Sequence, residues 1–316
     1  MDRNLALEFV RVTEAAAIAA AKWLGRGDGK KADGAAVDEM RDRFNQIDFS
    51  GRVVIGEGEK DEAPELYTGE KVGKGNGPEM DLAVDPLEAT DSVAFGRLNA
   101  ISVIAAGAKG SLLHAPDTYM DKIIVGKEAA SIVDLDAPVK VNLNKIAQAL
   151  GKPVEEVTVM ILDRPRHEKL IAEIRAAGSR VRLITDGDVA AGIASCLADS
   201  GVDVVLGIGG STEAVLAAVA VKILGGQILC RFKPRHEADQ KAVMECLDQA
   251  GIKDINTIFK AEDLAKGHQL TFTATGIIDG PLVPGVLFKK DQIITHSIVI
   301  RGQSGTVRYI TTHHHS

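Results

Sequence analysis

Beyond Gly151 the chain alternates short β-rich runs with helical stretches, and this alternation restricts the fold more than any other feature. Residues 157–162, 180–184, 202–206 and 227–231 are strand-length runs rich in Val, Ile and Leu. Apolar residues at helical spacing mark 167–177, 189–197, 213–223 and 237–250 between or after them. Strands joined by helices pair in parallel through crossover connections, so the second half reads as α/β. The first half reads differently. Leu5, Phe9, Val12 and Ala16 recur at helical spacing over the first 24 residues, and a second helix runs from about Ala35 to Phe44. Two β-like runs, 53–55 and 81–84, stop at acidic residues; a strand at 101–106 is followed by a loop carrying His114 through Asp121. The end returns to β at 270–275, 293–300 and 306–311. A soft boundary divides an N-terminal α+β half, 1–135, from a C-terminal α/β half, 136–316, the two sharing one compact unit.

Several function classes are disfavoured by composition. No apolar run approaches the ~20 residues that cross a bilayer, and the N-terminus lacks the basic-then-apolar order of a signal peptide. The alanine-rich stretch 15–21, broken by Glu14 and Lys22, reads as a buried helix face. Cys196, Cys230 and Cys246 have no close pairing, which suits reduced thiols in a cytoplasmic protein. A net charge of −7 argues against a nucleic-acid surface, although local arginines still permit a small anionic substrate. The terminal His313-His314-His315 run is set apart from any site.

The strongest chemical signal is Asp81-Leu82-Ala83-Val84-Asp85-Pro86-Leu87-Glu88-Ala89-Thr90. A strand delivers Asp85 to its end, Pro86 turns the chain, and Asp85, Glu88 and Thr90 crowd one loop. Carboxylates this close repel unless a hard cation such as Mg²⁺ or Mn²⁺ joins them; the alternative is an acidic surface loop with a helix-capping threonine. A second acidic run, Gly56-Glu57-Gly58-Glu59-Lys60-Asp61-Glu62, also follows a β-like segment, where α/β proteins place ligands. Asp33, judged locally, is a cap for the second helix.

In the second half, Gly207-Ile208-Gly209-Gly210-Ser211-Thr212-Glu213 follows a strand and opens a helix. Backbone N–H groups there attract anions, and the Ser211 or Thr212 hydroxyls are placed to donate to phosphate. Glu213 suits a first helical turn for dipole reasons alone. Arg164-Pro165-Arg166-His167 sets two guanidinium groups at a strand end, a phosphate grip or a solvated turn. At Asp186-Gly187-Asp188 an acid either accepts from sugar hydroxyls or caps the next helix.

Taken in order, these motifs resemble one family, the class II fructose-1,6-bisphosphatases of bacteria. The resemblance runs from Asp2 to about Arg308 and includes Trp23-Leu24-Gly25-Arg26-Gly27-Asp28, Asp61-Glu62-Ala63-Pro64, Tyr119-Met120 and Thr273-Ala274-Thr275-Gly276. It implies a layered α-β-α-β-α sandwich of the lithium-sensitive sugar phosphatase type. It also implies hydrolysis of the 1-phosphate of fructose 1,6-bisphosphate in gluconeogenesis, with Mn²⁺ or Mg²⁺, by a homodimer or homotetramer. Metal ligands then fall on Asp33, Glu57, Asp85, Glu88 and Glu213. Sugar-phosphate contacts fall on Glu88, Ala89 and Thr90, on Tyr119, on Arg164, Pro165 and Arg166, on Asp186, Gly187 and Asp188, and on Gly210. Thr90 is expected to orient the attacking water and Asp61 to accept its proton. Other readings are a sedoheptulose-1,7-bisphosphatase, an inositol-phosphate-type phosphatase, or a non-catalytic sugar-phosphate-binding relative.

The sequence departs from the family's pattern in three places. Ala89 stands where glycine is usual, Ser211-Thr212 replaces Ala-Pro, and Gly29 replaces a lysine near the first metal acid. Restoring glycine at 89 is expected to raise turnover at a modest loss of stability.

Overall fold

Strand pairing gathers the chain into two units whose boundary differs from the one expected. The computed structural model describes residues 5–58 and 65–315. One unit takes the chain up to Leu112 and again from Lys266; the other is Leu113–Ala265. The division at 135/136 is thereby corrected. Its cause is the pairing of Thr271–Ile278 with Ala100–Ala108 over most of their length, which returns the last segment to the first sheet. Local pattern marks a strand but not its partner.

In chain order the first unit holds α1 (Leu5–Ala21), α2 (Gly29–Phe44), β1 (Ser50–Ile55), β2 (Lys71–Val72), β3 (Glu79–Glu88), α3 (Thr90–Phe95) and β4 (Ala100–Ala108). The second holds β5 (Tyr119–Val125), α4 (Val139–Leu150), β6 (Thr158–Leu162), α5 (Glu168–Ala176), β7 (Arg180–Ile184), α6 (Asp188–Ala194) and β8 (Val204–Gly210). It continues through α7 (Ser211–Ile223), β9 (Gln227–Phe232), α8 (Glu237–Gln249), β10 (Phe259–Lys260) and α9 (Ala261–Leu264). The chain then re-enters the first unit with β11 (Thr271–Ile278), β12 (Leu287–Lys289), β13 (Gln292–Arg301) and β14 (Thr306–His315).

The first sheet has the order β12-β13-β11-β4-β3-β1-β2, with β14 also on β13. β1 and β3 are parallel and the remaining pairs antiparallel. Helix α1 is buried on nearly every side, which its alanines permit because they let neighbours approach closely. Phe9 meets Phe44 and Phe49 at ring-centroid distances of 6.0 and 5.6 Å, while Ala6 and Val10 pack on Val299. Glu14 lies within this buried face and is satisfied by Thr312 Oγ1 at 2.6 Å and Thr295 Oγ1 at 3.2 Å. The terminal histidines continue β14, with His315 opposite Gln292.

The second sheet runs β10-β9-β5-β8-β6-β7. β7, β6 and β8 are parallel, as the alternation predicts, while β5 and β9 are antiparallel to their neighbours. Ile123, Val159, Ile161, Val204 and Leu206 pack against Leu143 and Ile146 of α4 and Ile171 and Ile174 of α5. The other face carries α6 and α7; Gly192 is small enough for Ile124 and Ala217 to close over it. The protein is thus mixed α/β, built on two mixed sheets.

Two sequence expectations change here. Residues 119–125 form the strand β5 rather than a loop, and 139–150 form a helix where only a boundary was read. In Tyr119-Met120-Asp121-Lys122, adjacent charges hide the alternation that usually reveals a half-buried strand.

Candidate active site

In the first unit the acidic residues sit on α2, in the bend after β1 and on β3. Asp33 lies inside α2, which begins at Gly29; the cap is Asp28, whose Oδ1 accepts from Lys31 N at 3.1 Å. The local reading of Asp33 as a cap is therefore corrected, because the helix starts earlier than its apolar spacing suggests. Burial raises the Asp33 carboxyl above its ordinary range. Burial, and then the charge of Asp33, push Glu57 up to about 8. Two desolvated carboxylates that oppose each other's ionisation are a natural seat for a cation. Among the described residues, no group of three or more His, Cys, Asp and Glu side chains is gathered closely enough to hold a metal. Asp61 lies outside the described residues.

Asp85 and Glu88 belong to β3, which does not stop at Pro86. Asp85 pairs with Val103 and Glu88 with Ile101, so Pro86 and Leu87 form a bulge opposite Ser102. A bulge tolerates proline because no ladder hydrogen bond is required of it, and this corrects the expected turn. Asp85 Oδ1 accepts from Leu87 N at 3.1 Å. Asp81 is committed elsewhere, accepting from Gly110 N and Leu112 N. Ala89 follows at φ 75°, ψ 54°, left-handed and buried. Thr90 opens α3, its hydroxyl donating to Leu87 O at 3.2 Å. A β-carbon at Gly29 would lie 2.9 Å from the Thr90 methyl, so glycine there leaves that methyl its space. Lys31, two residues on, pairs with Asp28 at 3.0 Å.

In the second unit, the residues expected to contact sugar phosphate collect at the carboxyl ends of the parallel strands. Arg164–Arg166 follow β6, Asp186–Asp188 follow β7, and Gly210 ends β8, the edge where open α/β sheets hold ligands. Tyr119 begins antiparallel β5 directly opposite Gly210, so it joins the same edge. Arg166 donates from Nε and Nη2 to Ile208 O at 3.1 and 2.8 Å, with its guanidinium 4.6 Å from the Tyr119 ring centroid. His167 is buried: Ile208 N donates to its Nε2 at 2.8 Å, and its Nδ1 lies 2.8 Å from Leu162 O. The turn is thus built, not merely solvated.

The glycines of 207–210 extend β8 instead of forming a loop, and their smallness serves side chains. A β-carbon at Gly210 would overlap Glu213 Oε2; one at Gly209 would overlap Asp188 Oδ2 and lie 3.0 Å from Lys122 Nζ. The expected phosphate donors are otherwise engaged. Ser211 Oγ donates to Pro116 O at 2.5 Å and accepts from Thr118 N at 3.0 Å, and Thr212 Oγ1 donates to Glu213 Oε2 at 2.7 Å. Asp188 does not cap α6; its Oδ2 accepts from the buried Lys122 Nζ at 2.7 Å. Burial opposes the Lys122 charge, but Asp188 and Glu213 more than offset this and hold the ammonium above its ordinary range. Glu213 is raised by burial and by Asp188, against the pull of Lys122.

Comparison with known proteins decides the kinship. A profile described as "Bacterial fructose-1,6-bisphosphatase, glpX-encoded" matches residues 3–314. The chain is 47% identical to the class 2 fructose-1,6-bisphosphatase of Haemophilus influenzae over 325 aligned positions, covering 100% of this chain and 97% of that protein. It is 46% identical to fructose-1,6-bisphosphatase 1 class 2 of Escherichia coli K12, covering 100% and 96%. The chain belongs to the class II fructose-1,6-bisphosphatase family. For a family member the motif-based reading overlooks Lys122, Arg235 and Asp239, which the fold brings to the same edge of the second sheet. Lys122 is masked by the unrecognised strand; Arg235 and Asp239 sit in a charged stretch indistinguishable from a solvated helix start.

Asp239 is buried and accepts from Thr118 Oγ1 at 2.7 Å and Arg235 Nε at 2.7 Å. The Arg235 guanidinium holds its carboxyl well below the usual carboxylate range. A depressed folded value means this pair stabilises the protein above about pH 4, the unfolded value, and ceases to do so as pH falls. Asp239→Asn is accordingly expected to lower Tm at pH 7, the gap from wild type narrowing below about pH 4. A gap that stays constant in thermal scans across this range would contradict the assignment.

Proposed function

We propose that this family member removes the 1-phosphate of fructose 1,6-bisphosphate by direct attack of water, yielding fructose 6-phosphate and phosphate in gluconeogenesis. The observation that carries the reading is the end-to-end kinship with class 2 fructose-1,6-bisphosphatases. It is supported by the convergence of Tyr119, Arg166, Asp188 and Gly210 on one sheet edge. The reading includes divalent-metal dependence. Asp33 and Glu57, half-buried and mutually opposed, fit a cation; Asp85, Glu88 and Glu213 are the further ligands that the family resemblance implies. These are oxygen donors without sulfur or imidazole, which favours Mn²⁺ or Mg²⁺. When bound, the metal neutralises phosphate charge and acidifies water.

The chain's own residues do the rest. Thr90 exchanges its bond to Leu87 O for one to the water, and Asp61 takes the proton. Arg164 and Arg166 hold the phosphate that is not cleaved, and Asp186 and Asp188 address sugar hydroxyls. Fixing both ends of the sugar favours a near-attack geometry. Cytoplasmic location and assembly as a homodimer or homotetramer belong to the same reading. Among the described residues no helix is long and apolar enough to cross a membrane.

Phosphate release from a panel of fructose 1,6-bisphosphate, sedoheptulose 1,7-bisphosphate, inositol monophosphate and fructose 1-phosphate tests the proposal. Preference for another ester, or no release at all, would replace it. Arg166→Ala is expected to raise KM for the bisphosphate about ten- to a hundredfold, the loss of a charge-assisted contact. An equal rise for fructose 1-phosphate would mark Arg166 as a tether for Ile208 alone.

Ala89→Gly is expected to raise kcat and also to stabilise the protein. The stability half reverses the expectation from sequence. Left-handed backbone costs an L-residue roughly 1–2 kcal/mol that glycine escapes, against about 0.4–1 kcal/mol of added unfolded-state freedom. Urea unfolding and steady-state kinetics of the two proteins check both halves; a lower midpoint or an unchanged kcat would go against them.

A further inference from the structure

Tyr119 carries two guanidinium groups. Arg166 lies 4.6 Å from its ring centroid and Arg235 5.4 Å. They arrive from separate places, Arg166 from the turn after β6 and Arg235 from the segment between β9 and α8. Both are held by the same edge of the guanidinium. Arg166 uses Nε and Nη2 on Ile208 O. Arg235 uses Nε on Asp239 Oδ2 at 2.7 Å and Nη2 on Asp239 Oδ1 at 3.2 Å and Asp117 O at 2.7 Å. Among the described residues neither Nη1 atom donates a hydrogen bond, and Arg166 pairs with no carboxylate.

The supports are rigid. Asp239 is 7% exposed and anchored by Thr118 Oγ1, and it also accepts from Arg235 N at 3.0 Å. Ser211 Oγ ties Pro116 and Thr118 to the start of α7, so the chain leading into Tyr119 is fixed at both flanks. Two like charges on one ring repel each other, and an anion received by their unused Nη1 donors would turn that repulsion into attraction.

Building on the phosphatase reading, we propose that Arg235 is a second arginine of the substrate site. With Arg166 it grips the phosphate that is not cleaved, so that bisphosphates are selected over monophosphates. Asp239 and Thr118 act through Arg235 as positioning residues. A planar guanidinium stacks on the ring and keeps a fixed fork; an ammonium does neither.

The test uses the metal-loaded enzyme. Arg235→Ala, Arg235→Gln and Arg235→Lys are compared with wild type on fructose 1,6-bisphosphate and on fructose 1-phosphate, which keeps the cleaved phosphate and lacks the other. Each variant is expected to raise KM for the bisphosphate about tenfold or more beyond any rise for the monophosphate, the size of a lost charged hydrogen bond. The lysine variant gives no rescue. Competitive inhibition by fructose 6-phosphate weakens in parallel. Asp239→Asn gives the same pattern at smaller size, without a matching loss of kcat. Arg235→Gln retains a hydrogen bond to Asp239 and serves if the alanine variant is misfolded. Equal effects on both substrates, or full rescue by lysine, would overturn the proposal. If the wild type releases no phosphate from the bisphosphate, the phosphatase reading fails by itself. Calorimetric binding of fructose 1,6-bisphosphate then judges Arg235, and an unchanged Kd in Arg235→Gln counts against it.

Discussion

Lys122→Met is expected to lower unfolding free energy by about 3–5 kcal/mol, the range for breaking a buried ion pair from one side. The Lys122 side chain is 3% exposed and that of its partner Asp188 10%. Nζ donates to Asp188 Oδ2 at 2.7 Å and Gly210 O at 3.0 Å. Methionine fills much of the volume but leaves Asp188 desolvated beside Glu213, which already resists ionisation in this setting. One of the two carboxyls must then take up a proton or draw in water. Double-mutant cycles with Asp188→Asn decide the matter. The pair should show strong coupling, the double variant losing well under the sum of the singles. Urea midpoints that simply add, or a loss below about 1 kcal/mol in Lys122→Met, within the range of surface substitutions and small repackings, would show that the pair contributes little.

Exhaustive chelation is expected to reduce phosphate release at least about a hundredfold, since charge neutralisation and water activation are lost together. Adding Mn²⁺ or Mg²⁺ restores it. Asp33 and Glu57 motivate the prediction: burial raises both, and Asp33 helps push Glu57 up to about 8. Such a pair keeps a proton near neutral pH until a cation displaces it. Metal uptake at pH 7 should therefore release protons, seen in calorimetry as a binding heat that varies with the buffer's ionisation enthalpy. In Glu57→Gln that proton release should shrink. Full turnover after chelation and dialysis would sink the metal requirement.

Elements whose pattern is local are readable from the residues alone. Helices α1, α5, α7 and α8 and strands β1, β4, β6 and β13 were all legible. Periodicity of apolar residues needs no partner to be recognised. The kinship was legible too, because ordered motifs along the whole chain carry it.

Tertiary structure alone decided what depends on partners far away in sequence. It sent residues 266 onward back to the first sheet, and it let β3 run through Pro86 by a bulge. It gave Ser211 to the Pro116–Thr118 segment rather than to a phosphate. It joined Lys122 to Asp188 across 66 residues and brought Arg235 to Tyr119. Local pattern reports which face of an element is apolar, whereas a buried charge or a stacked guanidinium is set by whichever group the fold carries to it. Lys122 is buried because Asp188 and the carbonyl of Gly210 await it, and no stretch of sequence around residue 122 contains that information.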